Sequence, residues 1–152
     1  MRLHLILAAA LLAGVAVPAH AADVTLSATL TSSCTLTLNN SGAMTASSSG
    51  TVLSSENSGG TAASLGVVAI GTLPSVHFAA PSLTASPSGW TGSPTVEIKY
   101  SSNNGASAAY TASSSSVSET SLLDGFTING RVTNATGFTA GTYTVTTVVT
   151  CS

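Results

Sequence analysis

Val24-Thr-Leu-Ser-Ala-Thr-Leu-Thr-Ser-Ser-Cys34-Thr-Leu-Thr-Leu38 is the stretch from which the rest of the chain is read. Val24, Leu26, Ala28, Leu30, Cys34, Leu36 and Leu38 occupy even positions, and Thr or Ser fills every odd position from 25 to 37. Strict two-residue alternation puts apolar side chains on one face of an extended chain and hydroxyls on the other, the pattern of a half-buried β-strand. A second alternating run closes the sequence, Gly141-Thr-Tyr-Thr-Val-Thr-Thr-Val-Val-Thr-Cys151. There Tyr143, Val145, Val149 and Cys151 share one parity, Thr144, Thr146 and Thr150 the other, and Thr147-Val148 interrupts them. Each run carries one of the chain's two cysteines, so the two ends are expected to be neighbours in space.

The first run is too long for one domain. At about 3.3 Å per residue it would measure about 50 Å, well beyond an ordinary strand. Either it bends near Thr31-Ser32-Ser33, where Ser32 breaks the apolar set, or its halves belong to different sheets or different molecules.

Upstream, Met1-Arg2, an apolar run from Leu3 to Val17 and Pro18-Ala19-His20-Ala21 have the charge, core and small-residue ending of a secretory signal peptide over residues 1–21. Residues 22–152 then form one domain, with 22–32 a candidate donor-strand extension and no membrane span after cleavage. In an exported chain Cys34 and Cys151 are expected to pair. Free thiols and interchain bridges are the alternatives; the intramolecular bond is favoured because both cysteines sit at the core parity of strands.

Beyond residue 21, Lys99 and Arg131 face Asp23, Glu56, Glu97, Glu119 and Asp124, a formal charge of −3. Nothing there neutralises a row of phosphates or an anionic bilayer, so nucleic acid and membrane surfaces are not expected partners. More than a third of these residues are Ser or Thr, which reads as a β protein whose outward positions are hydroxyls.

Between the two runs the chain is punctuated by turn signals every eight to twelve residues or so. Asn39-Asn40-Ser41-Gly42 reads as a turn, and 46–51 and 54–61 as Ser/Gly-rich loops around Val52-Leu53. Leu65 to Leu73 reads as a strand buried on both faces, and Val76-His77-Phe78 as a short edge strand. Pro81 to Pro94 reads as irregular, and Thr95 to Tyr100 as a strand returning through an Asn103-Asn104-Gly105 hairpin. Asp124-Gly125 and Asn129-Gly130 look like further hairpin dipeptides. The expected fold is all-β, a single immunoglobulin-like or jelly-roll-like β-sandwich of about eight to ten short strands.

Groups capable of chemistry are sparse. The carboxylates sit in terminal, Ser-rich or turn positions, or, for Glu97, on an outward strand face beside Lys99. His77 is the sole histidine beyond residue 21 and no Gly-x-Ser-x-Gly elbow accompanies the serines. One histidine and two distant cysteines do not make a zinc site, and no calcium-loop or phosphate-loop spacing is present. No enzyme activity, metal or cofactor is expected. Trp90, between Gly89 and Gly92, reads either as a plug at one end of the sandwich or as a sugar-stacking contact.

Asp23-Val-Thr-Leu-Ser-Ala-Thr-Leu-Thr-Ser-Ser-Cys34-Thr-Leu resembles the mature start of spore coat protein U-type subunits, the pilins of archaic chaperone–usher fimbriae. Gly141-x-Tyr143-x-Val145-x-x-Val148 resembles their closing strand. The second cysteine lies nearer the C-terminus than is usual in the family, and the chain ends Cys-Ser rather than on an aromatic residue. The resemblance implies an incomplete immunoglobulin-like sandwich whose missing strand comes from the N-terminal extension of the next subunit. Val24, Leu26, Ala28 and Leu30 would be the donor positions. The partners implied are copies of the chain or related subunits, with a periplasmic chaperone and an usher, at the periplasm, cell surface or outside the cell. The alternative is a self-contained secreted sandwich that binds carbohydrate or another surface ligand through its end loops, with Trp90 as the contact.

Overall fold

The structure, a computed structural model, describes residues 25–152. The signal-peptide reading of 1–21, the first residues of the extension and Val24 lie outside them. The described chain is all-β, in antiparallel sheets consistent with a β-sandwich.

The first layer is built on β10 (Leu123–Thr133), the longest strand. Its N-terminal half pairs with β4 (Ala63–Ile70), which pairs in turn with β1 (Ser33–Asn40). Its C-terminal half pairs on that side with β3 (Val52–Ser54), followed by β2 (Thr45–Ala46). The other edge of β10 pairs with β7 (Thr95–Ser102), and β7 with β8 (Ser107–Thr111). In the second layer β5 (Ser75–Phe78) lies between β9 (Ser115–Ser118) and β12 (Val149–Cys151), and β6 (Ser82–Ala85) pairs with β11 (Thr144–Thr146). The Ala79 N–H donates to Val148 O and the Thr147 hydroxyl to Ala79 O, so these pairs form one continuous layer.

Alternation fills the space between the layers. Phe78 stacks on Tyr100 at 4.1 Å and meets Phe126 edge-on at 5.4 Å. Leu65, Val67, Val76, Ile98 and Ile128 surround them. Burying each large side chain contributes about 2–3 kcal/mol. The Tyr100 hydroxyl is satisfied by Ser115 Oγ at 3.0 Å.

Twelve strand segments appear where about eight to ten were expected, because long runs are interrupted. The C-terminal run splits at Thr147-Val148, where its alternation fails, into β11 and β12. The Asn103-Asn104-Gly105 hairpin is present, with Gly105 at φ 91°. Asp124-Gly125 and Asn129-Gly130 are not turns. Both lie inside β10, where neighbours on its two sides supply ladder bonds that outweigh local turn preference. β4 is central, but only one of its faces is buried: Val68 and Ile70 are both 46 % exposed. Pro81 to Pro94 contains a strand, β6. Glu97 accepts two hydrogen bonds from Arg131 rather than pairing with Lys99, which instead meets Glu56 at 2.6 Å.

Candidate functional site

The two long sides of the sandwich differ. On one, β8 passes directly into β9 through residues 112–114, so the chain itself bridges the layers. On the other, β1 and the β11–β12 run each have a strand on one side only among the described residues. These two edges run antiparallel. They converge where Cys34 is bonded to Cys151, with Cα atoms 6.1 Å apart, so the expected intramolecular disulfide is present. They diverge toward Ala43-Met44 and Tyr143–Thr147, leaving a groove of about 410 Å³ between them.

Small residues make the groove. Ile98, Ile128 and Ala63 form its floor, and Gly130, at the inward parity of β10, contributes no side chain. A Cβ on Gly130 would sit 3.5 Å from Met44 Sδ, an ordinary contact, so the site has room that the sequence leaves empty. Gly42 is held differently: a Cβ there would come within 2.9 Å of Ala63 N and Thr61 O, so only glycine lets this edge hug β4. Register irregularities at Leu38/Asn40 and Thr144/Val145 bend the two edges near the opening. Cys34 and Leu36 are half-buried, whereas Leu38, of the same parity, is 63 % exposed. Among the described residues no charged side chain lines the groove. Its chemistry suits an extended segment that supplies backbone hydrogen bonds to both edges and small or apolar side chains to the floor.

Residues 25–32 carry Leu26, Ala28 and Leu30, three of the four expected donor positions, outside the sheets. They form no strand; Leu26 is 92 % exposed, Leu30 is 70 % exposed, and Ala28 is exposed between them. Ser32 lies against Gly71, so the segment leaves the domain at the disulfide end.

Trp90 is not a free platform. Its indole stacks on Phe138 at 5.8 Å, meets Tyr143 edge-on at 5.3 Å and lies against Gly92. The Tyr143 hydroxyl bonds to Thr139, and Tyr143 is one of the residues lining the groove, so the Trp90–Phe138–Tyr143 cluster adjoins one wall of it. His77 Nδ1 lies 2.9 Å from Ser116 Oγ on the exposed face of the second layer, with no carboxylate hydrogen-bonded to it. No group of three or more His, Cys, Asp or Glu among the described residues could hold a metal ion.

The cations cluster on the outer face of the first layer. Arg131 lies 4.0 Å over the Tyr110 ring, Lys99 lies 5.2 Å from it, and the Tyr110 hydroxyl donates to Glu56. The hydrogen bond from Lys99, then that from Tyr110, holds the Glu56 carboxyl below its usual range, while burial raises the Tyr110 phenol. Each charge is matched within the network, whose solvent-screened pairs stabilise only weakly.

Sequence reasoning found Cys34, Cys151 and the alternating segment and placed Ile98 inward, but it did not single out Met44 or Gly130. The available signal was a glycine at the inward parity of a strand, which the Asn-Gly turn preference concealed. Comparison with protein-family models, with curated proteins and with solved structures finds no match for this chain.

Proposed function

We propose that the chain is an exported, non-enzymatic structural subunit of pilin-like or fimbrial type that assembles by strand addition. The extension 22–32 of one copy, or of a related subunit, enters the groove of the next and presents Val24, Leu26, Ala28 and Leu30 to its floor. Two edges without a second pairing strand among the described residues, flanking a groove lined there by no charged side chain, in a chain that also carries an exposed alternating segment, are the observation that supports this reading. A periplasmic chaperone would cover the same edges before assembly, and an usher would exchange it for the next subunit. The competing reading, a secreted carbohydrate-binding sandwich, draws less support because half-buried Trp90 already stacks on Phe138 and meets Tyr143.

Gly130→Leu tests the assignment. The added side chain enters the groove without a backbone clash, so the subunit should stay folded with its melting temperature unchanged or raised. Electron microscopy and sedimentation should show fibres from wild type and none from the variant. Fibres of equal length from both would remove the groove from the assembly.

A further inference from the structure

We propose that Glu119 and Asp124 share one proton, and that this proton is a pH-sensitive latch closing the end of the sandwich that carries the disulfide. The inference is independent of strand addition.

Glu119 opens the crossover that carries the chain from β9 in the second layer to β10 in the first. It is 5 % exposed, an unusual place for a carboxyl with no cation beside it. Its side chain is within hydrogen-bonding reach of Asp124. Glu119 Oε1 and Asp124 Oδ2 are the buried side-chain polar atoms left without a donor among the described residues. If both groups were ionised, two buried oxygens would be left unsatisfied. A single proton satisfies both.

The surroundings fix which group holds it. Asp124 Oδ1 accepts the Gly125 N–H at 2.7 Å and the Asn104 N–H at 3.3 Å. Burial raises the Asp124 carboxyl, but Ser102, these two amides and Glu119 outweigh it and leave it below its usual range. Glu119 receives no such support. Burial first, then the hydrogen bond and charge of Asp124, push it up to about 7. The proton therefore resides on Glu119, which donates to the Asp124 carboxylate.

The pair is a junction of four segments. The Glu119 N–H donates to Pro74 O in the β4–β5 connection, and the Ala69 N–H to Leu122 O in the crossover. Asn104, in the β7–β8 turn, donates through its side chain to Leu123 O, and the Asn103 N–H to Gly125 O. Among the described residues no other charged side chain acts on the pair. Residues 71–74 and 103–106 carry none, and His77, on β5, is exposed and bonded to Ser116.

Glu119 binds its proton more tightly folded than unfolded, so stability falls as pH rises from 4.5 to about 7 and stays low above that. Asp124 acts in the opposite sense at lower pH, its contribution being lost as pH falls below its ordinary 3.8. The full shift of Glu119 corresponds to a loss on the order of 10²-fold in the folding equilibrium constant.

Urea unfolding of the disulfide-intact chain at pH 5 and pH 8 tests the latch, with Glu119→Gln and Asp124→Asn beside wild type. Both variants replace the shared proton by an amide N–H, and Asp124→Asn keeps an oxygen to accept from Gly125 and Asn104. Wild type should lose on the order of 10²-fold between the two pH values, Glu119→Gln less than about threefold, and Asp124→Asn, which keeps the buried Glu119 carboxyl, an intermediate amount. Equal pH dependence in wild type and a folded variant, or a flat wild type, overturns the latch. So does restoration of the pH 5 stability at pH 8 by millimolar Ca²⁺, which would make the pair a cation site.

Discussion

Replacing both cysteines by alanine, Cys34→Ala with Cys151→Ala, tests the covalent clasp at the closed end of the groove. The bridge spans a sequence separation of 117 residues, nearly the whole described chain. In the chain-entropy model, releasing a loop of that size returns about 5 kcal/mol of configurational freedom to the unfolded ensemble. Both sulfurs also pack against the core, so their removal adds a small packing loss. Some of the clasp survives without sulfur: the Ser75 N–H donates to Ser152 O and the Ser152 N–H returns the bond to Ser75 O. Those bonds belong to the folded state of both proteins and do not offset an effect that resides in the unfolded one. The expected loss is about 4–5 kcal/mol in urea unfolding of oxidised wild type against the double variant. At a slope of about 1–3 kcal/mol/M the midpoint falls by about 1.3–5 M. The double variant avoids the free thiol that either single change would leave to cross-link chains. A loss below about 1 kcal/mol at unchanged slope would refute the reasoning, because the unfolded chain would then gain little freedom from the cut.

Two further substitutions address the edges. Leu26→Asp lies on an exposed residue outside the domain, so the subunit's urea midpoint should not move, while fibre formation in an electron-microscopy or sedimentation assay should be abolished by a charge entering an uncharged groove. Gly42→Ala should cost about 1–3 kcal/mol in thermal or urea unfolding, since its Cβ meets backbone at 2.9 Å that cannot give way as a flexible side chain would.

The fold class was legible because alternation is a direct imprint of a sheet with one buried face, and this chain states it in hydroxyls and aliphatics. Cys34 and Leu36, with the sets Val96/Ile98/Tyr100 and Phe126/Ile128, point inward or along the groove edge as that imprint requires, whereas Leu38, of the same parity as Cys34 and Leu36, is exposed. The errors arose where local chemistry and long-range pairing disagree. Asn129-Gly130 has the composition of a hairpin turn, yet β7 on one side and β3 on the other hold the surrounding residues extended. Glu97 alternates with Lys99 on one strand, but its partner, Arg131, is directly opposite on β10, and cross-strand neighbours lie closer than residues two apart along a strand. The Glu119–Asp124 contact could not be read at all. Five positions apart in sequence, the two meet only because the crossover folds one back on the other at the end of the sandwich.

Geometry also bears on whether the extension could serve its own chain. It leaves the domain at Ser32 beside Gly71, next to the Cys34–Cys151 bridge, whereas the groove opens at Ala43-Met44 and Tyr143–Thr147. The eight residues of β1 separate the two points, about 26 Å of strand. To fill its own groove the segment would have to reverse at Ser33 and pass the disulfide, where the two edges have already converged. A neighbour's segment meets no such turn and can enter from the open end. On the strand-addition reading, this places donor and acceptor at opposite ends of one subunit. The contact is then heterologous, each copy giving at one end and receiving at the other. A heterologous contact that does not close into a ring propagates as a filament. The disulfide thus has two consequences in one place: it stabilises the fold through the unfolded chain, and it bars the short path by which a subunit would satisfy itself.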